Sequence, residues 1–165
     1  MNIKKVIIIT SIIVTIIIII VIGILLYNYF KNKNVKIENI KRFHFNYSVG
    51  YHMNGSYDYK INYDGSHYIA SIKKDGVAEE DAKMVIISKK DVKKVENVLV
   101  KYKVNKWNGF DKVDKNVLDG DSFSLYVTFD DDTSIDAHGY MRYPENYGKV
   151  RGELDSIFNE FYDRK

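Results

Sequence analysis

The sequence predicts an α+β protein. A single N-terminal transmembrane helix precedes one domain, in which two helices pack on one face of an antiparallel sheet of about six strands in the order β-β-β-β-α-β-β-α. Three observations predict it. Val6 to Leu26 contain no charged residue, several segments further on alternate strictly between apolar and polar, and two later segments repeat apolar residues at helical spacing.

Val6 to Leu26 are mostly Ile and Val, interrupted by Thr10, Ser11, Thr15 and Gly23, and follow a basic stub at 1–5. That length matches the ~20 residues a helix needs to cross a bilayer. No pair of small residues stands where a signal peptidase would cut, and no cysteine is present for lipidation. The reading is therefore an uncleaved signal-anchor over 6–27, with the lipid bilayer as its partner through Val6–Leu26. Tyr27, Tyr29 and Phe30 would lie at the headgroups. Lys31, Lys33 and Lys36 after the segment argue for the opposite orientation, but large following domains translocate largely regardless of charge. The expected address is the cell membrane, single-pass, with the N-terminus cytoplasmic and the C-terminal domain outside.

Residues 28–40 read as a polar linker, in which the basic residues could touch anionic headgroups, and residues 41–165 as the domain. Phe43, Phe45, Tyr47 and Val49 alternate with polar residues as a half-buried strand, and Tyr57, Tyr59, Ile61 and Tyr63 repeat the pattern. Asp64-Gly65 supplies the positive φ of a hairpin turn, Tyr68, Ala70 and Ile72 return, and Met84 to Ile87 make a fourth strand. Ser88 and Asp91 form a capping box ahead of the stripe Val92, Val95, Leu99 and Tyr102, which leaves Lys89, Lys90, Lys93, Lys94 and Glu96 facing elsewhere. Lys106 to Asp121 read as a loop. Phe123, Leu125, Val127 and Phe129 form a strand that turns at Asp130-Asp131-Asp132 and returns through Ile135 and Ala137. Pro144 suits the first turn of a last helix carrying Tyr147, Val150, Leu154, Phe158 and Phe161. Gly148 and Gly152 would weaken that helix, unless they permit close packing on the sheet or the helix starts later.

Only Lys4 and Lys5, among 25 Lys and Arg, precede the apolar run, so the domain nearly balances its 22 acids and its charge predicts no nucleic-acid partner. With no cysteine there is no disulfide and no thiol chemistry. The four histidines, His44, His52, His67 and His138, fit no metal-binding spacing, and no cofactor or metal is expected. Ser122 and Ser124 lack a nucleophile elbow, and the ten glycines stand scattered at turns. Asp111, Asp114, Asp119 and Asp121 crowd one loop, but without the ligand register of a calcium-binding EF-hand. Most of the 14 tyrosines occupy strand positions, leaving Tyr51, Tyr140 and Tyr143 as the ones expected at the surface.

Trp107-Asn108-Gly109-Phe110-Asp111, the run from Val117 to Phe123, Gly139-Tyr140-Met141 and Pro144-Glu145-Asn146-Tyr147 resemble an uncharacterised family of secreted or membrane-anchored domains from Firmicutes-type bacteria. Phe43 to Ser48 and Gly76 to Asp81 share that likeness, which spans nearly the whole domain. It implies a one-domain organisation and an extracytoplasmic address, and carries no activity.

The functional expectation is a non-catalytic binding module that takes an envelope protein, peptide or wall component, with Tyr51, Trp107, Tyr140 and Tyr143 as ligand-binding candidates. Two alternatives stand beside it. One is a cell-envelope hydrolase built on Asp119, Asp121 and His138; the other is an accessory subunit of a membrane complex.

Overall fold

A computed structural model describes residues 3–33, 35–50 and 55–164, with side chains described for 12–27, 35–50 and 55–164. The chain divides into two compact units, Met1–Asn34 and Val35–Lys165. The first contains one helix, α1 (Ile3–Lys33). The apolar run is thus helical, but the transmembrane anchor expected of it is not what the structure supports. Among the described residues no helix is long and apolar enough to cross a membrane. The described side chains of α1 run from Ile12 to Tyr27. The single-pass membrane address expected from the sequence falls with the anchor.

The second unit is built on one seven-stranded sheet, β4-β3-β2-β1-β6-β7-β5 in spatial order. Its strands are β1 (Ile40–Ser48), β2 (Tyr57–Tyr63), β3 (Tyr68–Lys74), β4 (Lys83–Ile87), β5 (Phe110–Val113), β6 (Ser122–Phe129) and β7 (Ser134–Tyr140). Six of them fall where the sequence places strands. The seventh, β5, lies inside the stretch expected to be a loop, and it pairs in parallel with β7, so the sheet is mixed rather than wholly antiparallel. Four residues are too few for alternation to announce a strand, and here tertiary pairing decides. Asp64 shapes the β2–β3 hairpin by accepting the Ser66 and His67 amides, both at 2.8 Å, while Gly65 takes φ 102°. Val35 and Ile37, in the stretch expected to be a linker, are buried in the core with Ile40.

Both helices of this unit are amphipathic, and their apolar stripes are buried in the core with the alternate residues of the strands. Ser88 and Asp91 close the expected capping box on α2 (Lys89–Lys101), and Val92, Val95 and Leu99 are buried. Glu96, expected toward solvent, is buried instead. Its carboxylate accepts the Ile40 amide at 3.0 Å, where the register of β1 against β6 shifts between Ile40 and Arg42. A bulge leaves an amide in need of an acceptor, and Glu96 provides one.

The last helix, α3 (Tyr147–Tyr162), starts three residues beyond Pro144, behind Asn146 in the left-handed region (φ 64°). Its far end is tied to α2, because Arg164 donates two hydrogen bonds to Asp91, at 2.9 and 2.8 Å. That guanidinium, helped by Ser88, holds the Asp91 carboxyl well below the usual carboxylate range.

Two predictions follow from these helices. Gly148 and Gly152 face open space rather than the sheet, which corrects the close-packing expectation. Gly152→Ala should therefore raise stability by about 1 kcal/mol in chemical denaturation, through helix propensity alone. Because the folded-state pKa of Asp91 is depressed, its contribution is fully present above the unfolded value near ~pH 4 and is lost as pH falls below it. An Arg164→Met variant should show a shallower acid limb in pH-dependent unfolding followed by circular dichroism.

Candidate functional site

The most chemically distinctive surface lies at the β5 edge of the sheet. Two adjoining depressions share Phe110, Lys112 and Tyr143 and form one recess. Its walls are β5, the 3-10 turn Val104–Trp107, and the segment from Arg142 to Asn146. Sequence and local geometry place each wall. Lys103 takes a left-handed conformation (φ 54°) that ends α2 and starts the 3-10 turn. Gly139 lets the chain after β7 fold back. A side chain there would run into the Arg142 carbonyl and the Phe123 ring.

The aromatic floor is continuous. Tyr143 stacks on Tyr147 with centroids 4.7 Å apart, and Tyr147 meets Phe123 at 4.7 Å. Phe110 lies 6.1 Å from Phe123. Burial pushes the Tyr147 hydroxyl up, with Arg151 opposing, and burial with the nearby Asp121 charge raises that of Tyr143. Both stay neutral phenols at physiological pH.

Around this floor stand Lys103, Lys106, Lys112 and Arg142, all exposed. Arg142 pairs with Asp114 at 2.8 Å, and Lys112 lies 5.3 Å from the Phe110 centroid. The other two lysines are in no ion pair among the described residues. Glu145 and Asp111 are the acids in the lining. Aromatic faces with an excess of cations can hold an anionic, partly apolar ligand. The recess offers no paired acid and base for proton transfer.

The structure brings two of the four expected binding residues into this recess. Tyr143 is 39% exposed and presents a ring face. Trp107 belongs to the lining but is 2% exposed, with its indole N–H donated to the Glu145 carbonyl at 3.1 Å, so it supports the wall. Tyr140 works elsewhere. Its hydroxyl accepts the Gly120 amide and donates to the Leu118 carbonyl, both at 2.7 Å, stapling the loop before β6. Tyr51 lies outside the described residues, as does His52. Phe110 and the lysines were missed because they fall where the sequence reads as loop.

Asp119, Asp121 and His138 are not brought together. Asp121 sits opposite Met141 and accepts the Gly50 amide at 3.0 Å; its charge reaches Tyr143 and Tyr147 on the helix side of the sheet. His138 is exposed on the other face, opposite Ser124, and pairs with Asp136 at 2.7 Å. A hydrolytic trio cannot form across a sheet. Among the described residues no cluster of three or more His, Asp or Glu could hold a metal ion. Asp114 and Asp131 instead accept backbone amides within their own turns.

The uncovered face of the sheet carries a second group of charges. Glu79 accepts from Lys60 and from Lys73, which holds its carboxyl down at about 2. His44 Nε2 and Asp58 Oδ1 lie 3.0 Å apart, and both atoms are sealed from solvent.

No protein-family model matches the chain, and neither a curated protein nor a solved structure does.

Gly139→Ala should lower stability by about 3 kcal/mol, since the Arg142 carbonyl and Phe123 would have to move. Trp107 is the chain's one tryptophan. Its emission in the folded variant should shift red relative to wild type as the wall around it loosens.

Proposed function

We propose that residues 35–165 act as a non-catalytic binding module that takes an extended acidic peptide in the recess over β5. The observation that carries this reading is one arrangement: Lys103, Lys106 and Lys112 stand exposed around the Phe110 and Tyr143 rings, beside a short edge strand. Ring faces contribute sequence-tolerant contact area, and the lysines select negative charge. The split of Asp121 and His138 across the sheet speaks against the hydrolase alternative.

Trp107 supplies a built-in reporter, because its indole is bonded to Glu145 in the recess wall. Full-length protein titrated with a ten-residue Glu- and Tyr-containing peptide should change its emission, and the isotherm should weaken with added salt. Replacing Lys106 and Lys112 together by Glu should weaken binding at least tenfold, and Tyr143→Ala should weaken it with the fold intact. Equal affinity for a Lys-rich peptide, or no loss in the charge-reversed variant, would defeat the proposal.

A further inference from the structure

The two edges of the sheet differ in their protection. β5 is four residues long and carries Asp111 and Lys112, the usual defences against unwanted strand pairing. β4 carries no charge between Met84 and Ile87. Its first residue, Lys83, is drawn away: the amine donates to the Arg164 carbonyl at 2.7 Å and lies 5.3 Å from the Tyr162 centroid. On the uncovered face, Met84 and Ile86 are each 68% exposed, and Ile69 of β3 stands opposite Ile86. An edge this apolar is a template for another strand.

The flanking charges identify the strand. Glu79, Glu80 and Asp81 form a 3-10 turn just before β4, and Lys89 and Lys90 begin α2 just after Ser88. Glu79 is occupied by Lys60 and Lys73. Glu80, Asp81, Lys89 and Lys90 are exposed and in no ion pair among the described residues. The segment is thus acidic at its start, apolar in its middle and basic at its end, which makes it complementary to itself when reversed.

We infer that β4 is a self-association site, pairing antiparallel with β4 of a second copy about a two-fold axis through Val85. In this register Met84 faces Ile86 of the other copy, and Ile86 faces its Met84. The acidic turn of each copy, with Glu80 and Asp81, then lies at the same end of the paired strands as the start of the other copy's α2, with Lys89 and Lys90. A shift of two residues leaves apolar side chains unmatched, and a shift of one turns them to opposite faces. Parallel pairing would set acid against acid. The two-fold arrangement uses the same patch on both copies and closes after two, so it forms a dimer rather than a fibre.

The absence of cysteine makes the register directly testable in the full chain. Met84→Cys and Ile86→Cys proteins, dispersed in non-ionic detergent because the described side chains of α1, 12–27, are exposed, are mixed and treated with a mild oxidant. The mixture should form disulfide-linked dimer at least tenfold faster than either variant alone. Adding Glu80→Lys or Lys90→Glu to both partners should suppress that cross-link, and the two reversals combined in each chain should restore it. Equal rates in all three samples would show association through another surface. No cross-link at all, or cross-linking indifferent to the charge reversals, would equally overturn the assignment.

Discussion

The seating of α3 on the centre of the sheet is the constraint on which the rest of this unit depends. Phe158 stacks on Tyr59 with centroids 4.4 Å apart and planes within 4°, and on Phe43 at 5.7 Å. One turn earlier, Asp155 accepts the hydroxyls of Tyr47 and Tyr59, each at 2.9 Å. One helix thereby grips the two middle strands, β1 and β2, through both ring faces and phenol groups. Burial and the Asp155 carboxylate push both tyrosine hydroxyls up, so they remain donors over the whole range in which the protein folds. Losing Asp155 would leave two largely buried hydroxyls without an acceptor, which costs more than the two bonds themselves contribute.

That seating reaches both ends of α3. At the C-terminal end, Arg164 clasps Asp91, the residue that also closes the cap of α2, so helix start and helix packing share one carboxylate. At the N-terminal end, the buried ring of Tyr147 touches Phe45, Phe123, Trp107 and Tyr143. The recess over β5 is therefore the outer margin of a continuous aromatic core. Its ring faces are held by the interior while its lysines extend into solvent. A site supported in this way is rigid where contact area matters and adaptable where charge matters.

The two sheet edges divide the surface chemistry. The β5 edge is short, charged and set beside aromatic rings, which suits capture of a foreign acidic segment. The β4 edge is apolar with opposite charges at its ends, which suits its own copy. Five strands separate them, so occupation of one leaves the other free.

Much of this architecture was decided by local rules. Alternation at Phe43–Tyr47, Tyr57–Tyr63 and Phe123–Phe129 determined three strands and which face each buries, because a period of two admits one dry side. Ser88 with Asp91 determined the start of α2, since capping is a contact between residues three apart. The features that only the tertiary structure decided are those with distant partners. β5 is a strand because β7 lies beside it, Glu96 is buried because an amide 56 residues away needs an acceptor, and α3 waits until Asn146 because of how the preceding segment folds back over Gly139. The expected span at Val6–Leu26 rested on composition and length alone, and among the described residues no helix is long and apolar enough to cross a membrane. Trp107 and Tyr143 were visible as aromatic residues, but ring type does not reveal that one supports a wall and the other faces solvent. Burial is set by what arrives from elsewhere in the chain, and no local pattern encodes it.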